Sequence, residues 1–347
     1  MFISFVLNLH FLTLSCLVLQ LPRRDCDLRD FEGLDGDWVI SDQEFQPPCQ
    51  LSAIEAHILK QPRIVCNLSA PDFPVAIIKN CDIGLLSQSF IACGKELVSK
   101  RRYSIAGDSL SLQTALSLKV LGLGVSYLGS TFFPFRYSYN QSAQTLNYSS
   151  SDIGVHLEPK LQDFIASATP DQVLIWNSGA WWSPLKLGLE LFKRETGETV
   201  YTLYERSLVS LVKAARQAGL TLVLRAIFPV KDPHLSPWEH GRWTFDAFNQ
   251  ITKRVAEQFD VIYIDFFKLL DRPDVLLHRD DRLHFCAAYI DPDNPNRTCT
   301  WSAAFQLFAR VYIQLFLEIE RSVYRSETPL SCRTQKNQGN LHSVSEK

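Results

Sequence analysis

Arg102–Lys119 reads RYSIAGDSLSLQTALSLK. Arg102–Ala106 predicts a strand, Leu110–Lys119 carries helical spacing, and Gly107-Asp108-Ser109 forms the turn between them. A strand that runs straight into a helix is half of a βαβ unit, from which parallel sheets are wound. The alternation continues downstream. Val120–Leu128 predicts a second strand, Lys160–Ala166 a helix and Val173–Trp176 a buried strand. Leu203–Ala218 has helical spacing, with Gly219 as its C-cap. Leu220–Phe228 (LTLVLRAIF) and Val261–Phe266 (VIYIDF) read as strands, and Phe245–Phe259 and Ala303–Ile319 as helices. Strands that are apolar throughout, rather than alternating, are those covered on both faces. The expected fold class is therefore α/β, a three-layer α/β/α sandwich with a parallel sheet, and no internal repeat interrupts it.

The 347 residues are 46% hydrophobic and 21% charged, which are globular values and exclude a largely disordered chain. With 35 basic and 37 acidic residues the net charge is −2, so no polybasic field is present to attract nucleic acid. No stretch after residue 22 is apolar for the roughly 18 residues of a spanning helix, which excludes a polytopic membrane protein. Residues 1–24 read as a signal peptide, with an uncleaved membrane anchor as the rival, and either places the rest of the chain in a lumen or outside the cell. Residues 25–97 form a Cys-rich region with little helical periodicity, stapled rather than built on its own core. Residues 98–325 are expected to form the α/β domain, and residues 326–347 a polar tail.

Nine cysteines occur, one of them (Cys16) in the leader. The others are Cys26, Cys49, Cys66, Cys81, Cys93, Cys286, Cys299 and Cys332. Their spacing lacks the paired pattern of zinc sites and favours disulfides, and no metal site is expected. The connectivity stays open. Asn67, Asn140, Asn147 and Asn296 open Asn-x-Ser/Thr triplets, acceptors for N-glycosylation in a secretory chain.

Functional sites of open α/β sheets lie at the carboxyl ends of the strands. At the end of the first strand, Ser109 would hold its hydroxyl at the rim, beside helix N–H groups that favour developing negative charge. The plainer reading is an N-cap in a common turn tripeptide. Gly107 and Asp108 complete that turn. At the next strand end, Trp176-Asn177-Ser178-Gly179 offers the Asn177 amide as an oxyanion donor with Gly179 beside it, or simply a polar turn. Trp181 and Trp182 are either a sugar-stacking platform or packing residues. Arg225, ending a later strand, either meets an anionic or acceptor group or pairs internally. Trp238 and Trp243 flank the loop Asp232–Arg242, which either covers a cleft or packs on the surface. Finally, Asp281-Arg282-Leu283-His284 puts a carboxylate and an imidazole three residues apart. Asp281 can then hold the ring of His284 while its far nitrogen meets a serine. The rival is a solvated turn.

Taken in order, Ser109, Asn177 and Asp281-x-x-His284 resemble the GDSL/SGNH hydrolase superfamily. Within it, the chain is similar to the trichome-birefringence-like proteins of the PC-esterase branch. Cys26-Asp27-Leu28 and Gly36-Asp37-Trp38-Val39 resemble that family's opening, and Gly107-Asp108-Ser109-Leu110-Ser111 its serine motif. Asn177-Ser178-Gly179-Ala180-Trp181-Trp182 is similar to its Asn-Thr-Gly-His-Trp-Trp. Arg225, Pro229 and His234 look like its Phe-Arg...Pro-x-His segment, and Asp281-Arg282-Leu283-His284-Phe285-Cys286 like its Asp-Cys-x-His-Trp-Cys. The departures are Leu112 for Arg, Ala180 for His, Arg282 for Cys, and Ala287-Ala288-Tyr289 for Leu-Pro-Gly; they leave the triad intact.

That resemblance implies an SGNH-like sandwich and O-acetyl transfer to cell-wall or secreted polysaccharide, or the reverse hydrolysis, in the Golgi lumen or after secretion. It gives Ser109 as nucleophile, His284 as base and Asp281 as orienter. The chemistry calls for no cofactor beyond an acetyl donor, and its partner is a polysaccharide or oligosaccharide acceptor. Two rivals remain at the level of sequence: a lumenal carbohydrate-binding protein without catalysis, and a thiol mechanism using Cys286 beside His284.

Overall fold

The computed structural model describes residues 25–40, 65–66, 74–79, 81–83, 85–129, 137–140, 145–148, 159–177, 179–182, 197–229, 242–271, 284–286, 288–290 and 299–324. The strands are β1 (Gly36–Ile40), β2 (Val65–Cys66), β3 (Pro74–Ile78), β4 (Arg102–Gly107), β5 (Ser126–Gly129), β6 (Tyr137–Asn140), β7 (Thr145–Tyr148), β8 (Gln172–Asn177), β9 (Thr221–Arg225), β10 (Ile262–Ile264), β11 (Ala288–Ile290) and β12 (Cys299–Trp301). The longer helices are α1 (Gln88–Lys100), α2 (Ser109–Val120), α3 (Pro159–Ala166), α4 (Val200–Gln217), α5 (Arg242–Gln258) and α6 (Ala303–Ser322).

The main sheet has five strands in the order β10-β9-β8-β4-β5, and every neighbouring pair is parallel. From β4 the chain first moves outward to β5, then returns past β4 to β8 and continues the other way. The right-handed rule for parallel crossovers sends helices to opposite faces when the direction reverses. Accordingly α6 packs against both α1 and α2 as one layer, and α4 packs with α5 as the other. The reversal falls between β4 and β8, and the crevice at such a point is where open α/β sheets place their sites. The three-layer parallel α/β/α architecture expected from the strand–helix alternation is the observed one.

The elements form for local reasons. Asp108 caps α2 through its side chain, which accepts from the N–H groups of Leu110 and Ser111. Ser87, Thr199 and Ser302 cap α1, α4 and α6 in the same way. The expected strand Val120–Leu128 is shorter, Ser126–Gly129. Gly122, at φ +76°, closes α2 with Gly122 N–H donating to Lys119 O and Leu123 N–H to Leu118 O, so the chain turns before it can extend. The expected strand Leu220–Phe228 also stops early, at Arg225. Beyond it the peptide of Ile227 pairs with the side-chain amide of Asn249 in place of a neighbouring strand, at 2.7 and 3.0 Å. Helix α4 ends before Gly219 as expected.

The described residues of 25–97 pack on the same core as the sheet. A 3₁₀ turn at Leu28–Gly33 docks on the end of β10, where Asp265 N–H donates to Phe31 O and Leu34 N–H to Asp265 O. Phe31, Leu34, Ile78 and Cys81 belong to one hydrophobic cluster with the sheet core. The region also contains a helix where little helical periodicity was expected. Helix α1 crosses the boundary drawn at residue 97 and packs against α6, with Gly94 in the contact beside Ile313. Its turns are held by the Ser87 cap and by the apolar stripe Phe90, Ile91, Gly94 and Leu97. A disulfide joins Cys26 to Cys81. Cys93 and Cys286 are disulfide-bonded as well. Cys66 lies in β2 and Cys299 in β12, while Cys49 and Cys332 fall outside the described residues.

Asn140 and Asn147 lie on the hairpin strands β6 and β7, and Asn67 and Asn296 outside the described residues. So do the leader, residues 1–24, and most of the polar tail. Among the described residues no helix is long and apolar enough to cross a membrane.

Candidate active site

The carboxyl edge of the sheet brings Gly107, Ser109, Asn177, Arg225 and His284 together. In the β4–β8 register Gly107 faces Asn177, and Arg225 ends β9 on the other side of β8. The close approach is unusually tight at Gly107. Its φ is +137°, and a Cβ there would lie 1.6 Å from Asn177 O and 2.6 Å from Ser111 Oγ. Only glycine lets β4 turn into α2 against the backbone of β8.

Ser109 is therefore the first residue of α2, on a turn fixed from several directions. Asp108 N–H donates to Asn177 O at 3.3 Å, and Ser111 Oγ donates to the same oxygen at 2.9 Å. Tyr127 Oη, from β5, donates to Gly107 O at 3.0 Å and Asp108 O at 3.2 Å. The Ser109 N–H sits where a helix offers its own donors no partner.

Across the crevice, His284 Nε2 lies 2.5 Å from Ser109 Oγ. The imidazole thus reaches the serine with the geometry a general base needs. Asp281, the expected orienter, lies outside the described residues, as do Ser178, Arg282, Leu283 and His234. The peptide after His284 is held from α2: Gln113 Nε2 donates to Phe285 O at 2.5 Å, and Phe285 N–H donates to Gln113 Oε1 at 3.3 Å. The Phe285 ring packs edge-on against Phe228 and Phe308.

Asn177 is 1% exposed, and its Nδ2 donates to Arg225 O at 2.5 Å, so that donor is engaged within the sheet. Arg225 has no exposed surface. Its guanidinium donates to Ser111 Oγ at 3.0 Å and Ala226 O at 3.2 Å, and lies 4.1 Å from the Phe228 ring centroid. It pairs internally and presents nothing to an acceptor. Trp182 is likewise without exposed surface and meets the Tyr204 ring edge-on, which makes it packing rather than platform. Gly179 and Trp181 lie in the same 3₁₀ turn, Gly179–Trp182, and Gly179 is buried. Trp243 is the second residue of α5, and Trp238 lies outside the described residues.

Burial, not charge pairing, dominates the electrostatics around this edge. Desolvation lifts the Tyr204 and Tyr263 hydroxyls well above the ordinary phenol range, and holds Tyr312 up to about 12. These groups stay neutral. Cys286 is 1% exposed and already disulfide-bonded, which removes it as a thiol nucleophile. Among the described residues no cluster of His, Cys, Asp and Glu could hold a metal ion.

Sequence reasoning did not find Gln113, Tyr127 or Ser111. For Gln113 a signal existed: it stands one helical turn beyond Ser109, on the same face. Tyr127 and Ser111 act through backbone oxygens, which no pattern of side chains announces.

No protein-family model matches the chain, and no curated protein does. Among solved structures it is similar to a GDSL-like protein from Parabacteroides merdae, at 17% identity, covering 62% of this chain and 96% of that one with a TM-score of 0.36. It is similar to Axe2, an acetylxylan esterase from Geobacillus stearothermophilus, at 15% identity over 62% of this chain and 94% of that one, TM-score 0.34. A lipase/acylhydrolase from Enterococcus faecalis matches at 12% identity, with the same coverages and a TM-score of 0.36.

Proposed function

We propose that the chain is a serine-dependent acyltransferase of the GDSL/SGNH kind, related to the trichome-birefringence-like branch, which moves an O-acetyl group onto a cell-wall or secreted polysaccharide. The observation that carries this is the 2.5 Å contact between His284 Nε2 and Ser109 Oγ at the carboxyl end of β4. A serine at a helix N-terminus, facing an imidazole, is the arrangement of an activated nucleophile.

His284 takes the Ser109 proton as Oγ attacks the acetyl carbonyl. The oxyanion develops beside the N-terminal N–H groups of α2, Ser109 N–H first among them, where the helix dipole favours it. His284 returns the proton to the departing oxygen. A sugar hydroxyl, deprotonated by the same ring, then takes the acetyl group as the Ser109 Oγ–acyl bond breaks, and His284 returns that proton to Ser109 Oγ. When water takes it instead, the outcome is hydrolysis, so exclusion of water decides between transferase and esterase. Asp281 is assigned the task of orienting His284 on the sequence resemblance alone. The disulfides at Cys26–Cys81, Cys93 and Cys286 fit an oxidising compartment, and support a place in the secretory pathway.

The test is turnover of an aryl acetate by the wild type and Ser109→Ala, with and without xylan, mannan and pectin oligosaccharides. Ser109-dependent aryl release with one acetyl mass gained by a glycan is the expected result. Release without glycan gain assigns an esterase. Release that does not need Ser109 refutes the nucleophile.

A further inference from the structure

We infer that Gln113 is a positioning residue for the base, a side-chain amide clamp that locks the His284 segment to the helix carrying the nucleophile. The argument starts from spacing. Ser109 and Gln113 are four residues apart in α2, so they share a face about 6 Å apart along the axis. His284 and Phe285 are adjacent in the chain. One pair of neighbours therefore carries the reactive contact, and the other carries the reciprocal amide–peptide pair at 2.5 and 3.3 Å.

A glutamine amide offers one acceptor and a donor side by side, which matches the O and N–H of a single peptide as a neighbouring strand would. Both partners are dry: Gln113 is 4% and Phe285 2% exposed. The Phe285 ring is fixed in turn by Phe228 and Phe308. The clamp thus refers the imidazole to the same rigid helix that carries Oγ, so the two move as one body. Asn249 does the same for Ile227 on the neighbouring strand end, so side-chain amides hold two segments along this edge. A displacement of about 1 Å between reacting groups can cost on the order of 100-fold in rate.

The kinetic part of this inference rests on the acyl-transfer reading; the spectroscopic part does not. The experiment compares the full-length wild type, Gln113→Ala and Ser104→Ala. Ser104 Oγ meets Ser126 Oγ at 2.6 Å in the middle of β4, three residues before Gly107, so its loss disturbs the sheet without removing a contact to Ser109, Gln113 or His284. With an aryl acetate, Gln113→Ala should lose roughly 10- to 100-fold in kcat with KM little changed. Ser104→Ala should keep kcat. In histidine-labelled protein, Ser109→Ala should shift the imidazole resonances of His284 in the wild-type background and leave them unmoved in the Gln113→Ala background. Should Gln113→Ala not fold, Gln113→Asn keeps the amide one methylene short and is read the same way. Unchanged kcat in the Gln113 variant overturns the inference, as does an equal Ser109→Ala shift in both backgrounds. If wild-type turnover proves independent of Ser109, the acyl-transfer reading fails and the resonance comparison alone decides the clamp.

Discussion

Replacing Gly107 by alanine should damage the protein twice. The new methyl would stand 1.6 Å from Asn177 O, where ordinary contact is about 3.5 Å. The obstacle is backbone in the middle of a sheet, not a flexible side chain. Relief requires β4 and β8 to part by nearly 2 Å at their carboxyl ends, which loosens the bonds of Asp108 N–H and Ser111 Oγ to that oxygen. The φ of +137° adds backbone strain of about 1–3 kcal/mol for any residue with a Cβ. Overpacking adds about 1–3 kcal/mol more. A loss of about 2–6 kcal/mol is a large part of the ~5–15 kcal/mol that holds a domain together. At roughly 2–4 °C per kcal/mol, Tm should fall by about 5–20 °C. Ser109 lies two residues on, so the same displacement should lower kcat for an aryl acetate by around 100-fold in the protein that remains folded. A thermal melt followed by circular dichroism, beside the kinetic assay, measures both. A variant that melts within about 1 °C of the wild type and keeps its kcat would refute the reasoning about this turn.

Two further outcomes follow from the fold. The Cys26–Cys81 disulfide closes a loop with a sequence separation of 55, for which chain entropy gives about 4 kcal/mol. The double variant Cys26→Ala/Cys81→Ala should lose up to that amount in urea unfolding, and an unchanged midpoint would show that the docked segment holds itself. Burial raises the carboxyl pKa of Glu318, opposed in part by Arg321 and Gln314. The folded state therefore favours its protonated form, and its contribution to stability is present at low pH and lost as pH rises through the raised value. Since Glu318→Gln cannot ionise, its Tm relative to the wild type should climb as pH rises above the ordinary glutamate value of about 4; a flat difference counts against the shift.

Periodicity made the layers legible because each long element buries a face or a whole strand. The stretches 102–107, 172–177 and 303–322 carry that signal plainly, and their expected bounds differ from the observed ones by only a few residues. What stayed hidden has a common cause. Helix α1 lies within a Cys-rich stretch, where the cysteines argue for staples rather than for a helical period. Strands β2, β11 and β12 are two or three residues long, too short for any period to show. The early end of β9 depends on Asn249, whose partner Ile227 lies 22 residues away. At the site, strand-end logic located Ser109, and the later Asp-x-x-His pattern located His284. It left open whether Trp182 and Arg225 pack inward or meet a ligand, since residue type alone does not say whether a large side chain at a strand end turns inward or out. Arg225 turns inward, to Ser111.

Helix α6 is buried along almost its full length, including Arg310, which donates to Ile83 O across 227 residues of sequence. Its outer side is closed by α1, β3 and the turn at Leu28–Gly33. During synthesis the covering segment emerges first and the helix it covers emerges last. The apolar faces of Phe31, Leu34 and Ile78 must wait until α6, more than 220 residues downstream, has left the ribosome. Such late closure gives a high contact order and slow folding, with an intermediate whose sheet edge and early segment are open to other chains.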